Sequence, residues 1–168
     1  MAVENKWVNA EVAAGKKGNA AKVAGGKLLC VAFKFEVAAA DDDGSIYKLA
    51  KLPSNAIPVK CELFSDAITS GTDYDLGLYK ESGVVADKDI FADGLDPASG
   101  EAITAPLNGL TNLGGADPVG NVGKKLWELL GLTQAQSAAE GAYDLAITAN
   151  TVGSAAGTVS GFFWYILG

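Results

Sequence analysis

Asp41, Asp42 and Asp43, followed by Gly44, form the densest set of potential metal ligands in this sequence. Three carboxylates beside a turn residue suit a hard cation such as calcium. A full calcium loop also needs oxygen ligands at its first and twelfth positions, which here fall on Ala39 and Ala50, so that motif fails. What is left is a solvated acidic turn, or a looser site built from these residues or from Asp87, Asp89 and Asp93. Ser45 and Lys48 have the Ser-x-x-Lys spacing of some acyl-transfer nucleophiles. That chemistry requires a helix to bring hydroxyl and amine together, and on a strand the two side chains face apart. Gly123 and Lys124 lack the upstream glycine and the following hydroxyl of a phosphate-binding loop. Carboxylate pairs for glycoside hydrolysis are numerous, but no motif selects one.

The missing residue types are as informative. The chain has no histidine and no arginine: all thirteen basic residues are lysines, against twenty aspartates and glutamates. Without imidazole there is no ordinary general base near neutral pH and no common ligand for catalytic zinc. Without guanidinium there is no bidentate clamp for phosphate or carboxylate. The expectation is a structural protein with no catalytic residues, no cofactor and no metal.

Charge is distributed unevenly. Residues 1–35 carry six lysines and two glutamates, a charge of +4, whereas residues 36–168 carry seven lysines and eighteen acids, a charge of −11. A basic leader on an acidic body suits either an arm lying on an acidic surface, a neighbour's or a partner's, or a solvated lysine-rich tail. Nucleic-acid binding would need a basic face, which the body does not offer, so no nucleic-acid partner is expected. Two cysteines, Cys30 and Cys61, are too few for a disulfide framework, and Glu4 and Lys6 interrupt any signal-like apolar stretch. Folding in a reducing cytoplasm is expected. Leu145 to Gly168 carries no charge, yet its threonines, serines and glycines and its alternating pattern describe a strand rather than a membrane span.

The elements that must position any site follow from periodicity. Residues 1–27, rich in Ala, Gly, Asn and Lys, read as an extended arm, with Trp7 and Val8 its large apolar residues. Residues 28–168 read as one domain. Leu29, Val31, Phe33, Phe35 and Val37 share one strand face, with Cys30, Ala32, Lys34 and Glu36 on the other. Further strands are predicted over 46–52, over 56–64 with Ile57, Val59, Cys61 and Leu63 inward, and over 73–80 with Tyr74, Leu76 and Leu78 inward. Pro58 lacks an amide donor and places its strand at a sheet edge or pairing only beyond that point. Residues 81–120 read mostly as loop, anchored by Val84, Val85, Ile90 and Phe91. A short helix is predicted at Leu126–Leu130, ended by Gly131, and a second from the Thr133/Gln136 capping box to Gly141. Tyr143 to Ala149 returns to strand. In the last strand Val159, Phe163, Tyr165 and Leu167 occupy one face, and Phe162, Trp164 and Ile166 the other. A strand apolar on both sides requires a second covering layer, either the domain's own loops and helix or, the favoured reading, another subunit or partner. The fold class expected is mainly β: an antiparallel sandwich or jelly roll with one or two short helices and an extended arm.

The runs Ile46-Tyr47-Lys48-Leu49, Leu52-Pro53-Ser54-Asn55-Ala56 and Ala67 to Tyr79, with Thr148-Ala149-Asn150-Thr151 and Ala155 to Val159, resemble structural proteins of tailed bacteriophages. Specifically, residues 28–165 are similar to capsid decoration, or cement, proteins of the jelly-roll type. The resemblance implies a virion protein made in the host cytoplasm that binds the capsid exterior and joins neighbouring major capsid subunits. The protein is expected to be a homo-oligomer, dimer or trimer. Partner-binding residues are expected at Lys6, Trp7, Lys16 and Lys17 in the arm and at Phe162, Trp164 and Ile166 in the last strand. The alternative is a carbohydrate-binding or receptor-binding sandwich whose exposed aromatics stack on sugar rings.

Overall fold

The computed structural model describes residues 27–100, 102–103, 121 and 123–168. Eight strands run in chain order: β1 (Leu28–Val37), β2 (Ser45–Pro53), β3 (Ala56–Ser65), β4 (Asp73–Lys80), β5 (Val85–Leu95), β6 (Ala102–Ile103), β7 (Ala142–Thr151) and β8 (Gly157–Leu167). They form two antiparallel sheets, ordered β1-β8-β3-β6 and β2-β7-β4-β5. The chain crosses between sheets at every step except the β4–β5 hairpin, so each strand's hydrogen-bonded neighbours come mostly from distant sequence. This is the strand order of an eight-stranded jelly roll. It confirms the expected sandwich.

The inner faces meet in one apolar core containing Leu63, Leu76, Leu78, Leu145, Ile147, Val159 and Phe163, all buried. Phe91 of β5 packs on Phe163 of β8 with ring centroids 5.3 Å apart, tying the two sheets together. Tyr74 donates its hydroxyl to the Val152 carbonyl at 2.8 Å, so its polar tip is satisfied inside the core. At the flank where β1 and β2 adjoin, Phe35 stacks on Tyr47 at 4.6 Å.

Two short helices cover the β2–β3 turn. In α1 (Leu126–Leu129), Leu126 and Leu129 are buried, and the Trp127 amide donates to the Ser54 carbonyl. In α2 (Gln134–Glu140), Thr133 Oγ1 accepts from the Gln136 amide while the Gln136 side chain accepts from Thr133 N, completing the predicted box. Gly131 and Gly141 follow the helices with positive φ, as their placement in the sequence requires.

Two sequence expectations are corrected. Residues 85–95, read as loop, form the eleven-residue β5; Ile90 and Phe91 anchor the core as expected, but Val84 and Val85 are exposed. The Gly-Asp-Pro composition hid a strand interrupted by a wide bulge. In β3, Ala56 and Pro58 face inward before a register shift, and Cys61 and Leu63 after it. The bulge at Val59 reverses the alternation, leaving Ile57 half-buried and Val59 exposed rather than inward. Pro58 sits beside this bulge: β3 pairs with β8 from Ala56 onward, not only beyond the proline, whereas on its other side, among the described residues, β6 meets only Leu63 and Phe64.

Candidate interaction surface

The outer face of the β1-β8-β3 sheet is assembled by register. Leu28, Ile166 and Ile57 lie abreast across the three strands, as do Cys30, Trp164 and Lys60, then Ala32, Phe162 and Glu62. Phe64 extends the face beside Ser160. Phe162 is 39% exposed and Phe64 41%, while Trp164 and Ile166 are half-buried. The Phe162 and Trp164 rings touch at 5.5 Å with a tilt of 33°, and Lys60 Nζ stands 5.3 Å from the Trp164 ring centre. A lysine over an indole face is a weak cation–π contact at such exposure, and it also keeps the ammonium beside Glu62, its ion-pair partner. The result is a platform of aromatic and aliphatic side chains framed by Lys34, Glu36, Lys60 and Glu62. Among the described residues no second layer covers it.

Of the residues expected to bind a partner, the structure brings Phe162, Trp164 and Ile166 together on this platform. Lys6, Trp7, Lys16 and Lys17 lie outside the described residues, as does the proposed arm up to residue 26. Sequence reasoning missed Leu28, Ile57 and Phe64 as members. Phe64 was legible, because it shares a phase with Lys60 and Glu62 and so breaks an otherwise polar face. Ile57 was not, since only the Val59 bulge turns it outward. The cysteines divide as expected: Cys30 is exposed on the platform, and Cys61 is buried, burial pushing its thiol up to about 12.

The residues with chemical potential are bound into the scaffold. Asp41 Oδ2 accepts from the Tyr47 hydroxyl and the Ala38 amide, which hold its carboxyl below the usual range, and Asp43 accepts from the Val152 amide. Asp41 and Asp43 thus fasten the β1–β2 connection. Ser45 Oγ donates to the Asp42 carbonyl, and Lys48 instead pairs with Asp144, so no Ser–Lys dyad forms. Lys124 donates to Asn121.

Asp73, Asp75 and Asp93 place carboxylate oxygens within 4.8 Å of one another. Asp75 is 1% exposed, and both its oxygens are engaged: Lys88 Nζ lies at 2.9 Å, Asn150 Nδ2 donates at 2.6 Å and the Gly94 amide at 3.3 Å. The cluster carries a cation internally, as a lysine, and both oxygens of its central carboxylate already accept hydrogen bonds. Burial raises the Asp75 value, but the Asn150 and Lys88 hydrogen bonds more than reverse this and keep it ionised. These groups fit an internal ion pair and do not fit a metal centre. Among the described residues no helix is long and apolar enough to cross a membrane.

The fold has a counterpart in a solved phage capsid. The chain is similar to one in the capsid of Ralstonia phage GP4, with 18% identity over 86% of each chain and a TM-score of 0.57. Weaker similarity extends to a chain of the cyanophage Pam1 capsid asymmetric unit, with 17% identity, 86% of this chain and 87% of that one covered, and a TM-score of 0.46. For the acid-stable capsid of Helicobacter pylori bacteriophage KHP30 the values are 15% identity, 86% and 91% coverage, and a TM-score of 0.43. At such identities the likeness is one of fold. No family model matches the chain, and no curated protein matches its sequence.

Proposed function

We propose that this chain is a structural virion protein that sits on the outside of a phage capsid and cements neighbouring major capsid subunits. The observation that carries the reading is the platform of Phe162, Trp164, Ile166 and Phe64, uncovered among the described residues, on an otherwise acidic jelly roll. An aromatic face with a charged rim is the composition of a protein–protein contact. The GP4 neighbour belongs to a phage capsid, which supports the same setting for this fold. Lys6, Trp7, Lys16 and Lys17 would reach an adjacent acidic subunit. Repeated over a lattice, and across a dimer or trimer of the chain, modest contacts add through multivalency. The reading needs no catalytic residue, cofactor or metal.

Two measurements test it. Mass spectrometry of purified particles should find the chain in copies stoichiometric with the shell protein; absence from particles would end the proposal. Added to undecorated shells, Phe162→Lys with Trp164→Lys should lose most occupancy while retaining the parent's thermal unfolding, and deletion of residues 2–27 should weaken it. Full occupancy by the double variant would remove the platform from the interface. Binding of the isolated protein to a glycan array, abolished by the same pair, would favour the carbohydrate-binding alternative.

A further inference from the structure

The β5 strand departs from β4 in an unusual way. Leu76 pairs with Ala92 and Leu78 with Asp87, so Lys88, Asp89, Ile90 and Phe91 stand opposite Gly77 alone. Ile90 and Phe91 plunge into the core, while the Lys88 backbone crosses the outer side of Gly77. A Cβ on Gly77 would stand 2.2 Å from the Lys88 carbonyl carbon, so the bulge lies directly on β4. What fastens it there is Lys88, bonded to buried Asp75 and to Asn150 Oδ1 at 2.9 Å.

Near this ammonium stand the carboxylates of Asp73 and Asp75 from β4 and of Asp89 from β5; Asp93 lies against Asp73 and Asp75, and Asp87 against Asp89. From β7 come only the neutral Asn150 and Thr148, the latter sharing a hydrogen bond with Tyr79. The next charged group on that face of β7, Asp144, is taken up by Lys48 and Lys51. With every carboxylate ionised the group would carry four excess negative charges, an arrangement that protons relieve.

We propose that the β5 bulge is a proton-operated latch, closed across Gly77 in mild acid and loosened as its carboxylates ionise toward neutral pH. Two pairs hold the relevant protons. Burial, then the Asp89 carboxyl, raises Asp87 to about 6, and Asp75 raises Asp93 above its ordinary value. A group whose value is raised in the closed state stabilises that state fully below its open-state value of about 3.9, and this stabilisation is lost as pH rises through about 6. Asp75 has the opposite sign, but its depressed value places its titration below this window. Linkage through Asp87 gives roughly a tenfold increase in the opening equilibrium between pH 5 and 7, reduced to several-fold by solvent screening of the half-exposed carboxyl.

Hydrogen exchange of the full chain, corrected for the intrinsic pH dependence, tests this. Peptides covering residues 85–92 should lose several-fold protection from pH 5 to 7 while those covering residues 143–149 keep theirs, and Asp87→Asn should remove the difference. Flat protection in the bulge, a parallel loss in β7, or an unchanged loss in Asp87→Asn would each overturn the latch. If that variant does not fold, a carbon-13 titration of the Asp87 carboxyl in the unaltered protein decides. Titration near 4 refutes the latch, and titration near 6 supports it only together with the loss of protection over residues 85–92 in the unaltered protein.

Discussion

Replacing Gly77 by alanine should be among the most damaging single-methyl changes available in this molecule. The added Cβ would meet the Lys88 carbonyl carbon at 2.2 Å and the Asp87 and Lys88 carbonyl oxygens at 2.3 Å. All three are backbone atoms, so no side chain can rotate away, and the bulge must withdraw by roughly 1 Å to reach ordinary van der Waals separation. Overpacking of this kind costs about 1–3 kcal/mol. Withdrawal also lengthens the 2.9 Å contact between Lys88 and Asp75, leaving a carboxylate that is 1% exposed short of its cation. With the lysine side chain still 43% exposed, that loss adds about 1–2 kcal/mol rather than the full cost of breaking a buried pair. The total, about 2–5 kcal/mol, corresponds to a Tm lower by roughly 5–15 °C for a domain of this size. Gly83→Ala is the control: its φ is +86° and nothing lies within 4 Å of the new Cβ, so only left-handed strain of about 1–2 kcal/mol applies. Urea unfolding of both variants, analysed for two-state behaviour, measures the difference. A Gly77→Ala protein within about 0.5 kcal/mol of the parent, or no less stable than Gly83→Ala, would refute a bulge resting on β4.

Other consequences follow from burial and charge. In the native protein a thiol reagent should modify exposed Cys30 quickly and leave Cys61 untouched until urea is added; equal rates read by mass spectrometry would contradict the β3 packing. Burial would raise the Asp144 carboxyl, but Lys48 at 2.7 Å and Lys51 at 3.1 Å hold it below its ordinary value. Its contribution is therefore complete above about pH 4 and disappears as pH falls through the depressed folded-state value. Asp144→Asn should flatten the acid limb of a Tm–pH curve, and an unchanged limb would show that the two lysines do not stabilise the ionised form.

The alternating runs in β1, β4 and β7 announced their faces from sequence, because a strand's side-chain period of two is fixed by backbone geometry. The helices were equally legible, since the Thr133/Gln136 box and the glycines after each helix act within a single turn. The missing histidine and arginine removed the usual imidazole and guanidinium chemistry without reference to any fold. Bulges were not legible. One residue at Val59 reversed the phase of β3 and put Ile57 on the platform. A second, at Leu49, set Lys48 and Lys51 on the same side of β2, where both reach Asp144. The third turned a Gly-Asp-rich stretch into a strand that straddles β4.

The sequence by itself determined a half-buried sandwich with an acidic body and a last strand apolar on both faces. Which strands became neighbours, and hence that Phe162 and Trp164 join Phe64 on one face while Asp73, Asp75 and Asp89 gather near Lys88, was decided only by tertiary structure. The physical reason is that periodicity is a local property of the backbone, whereas register is set by pairing between strands far apart in sequence. A single extra residue in one partner moves every later side chain to the opposite face.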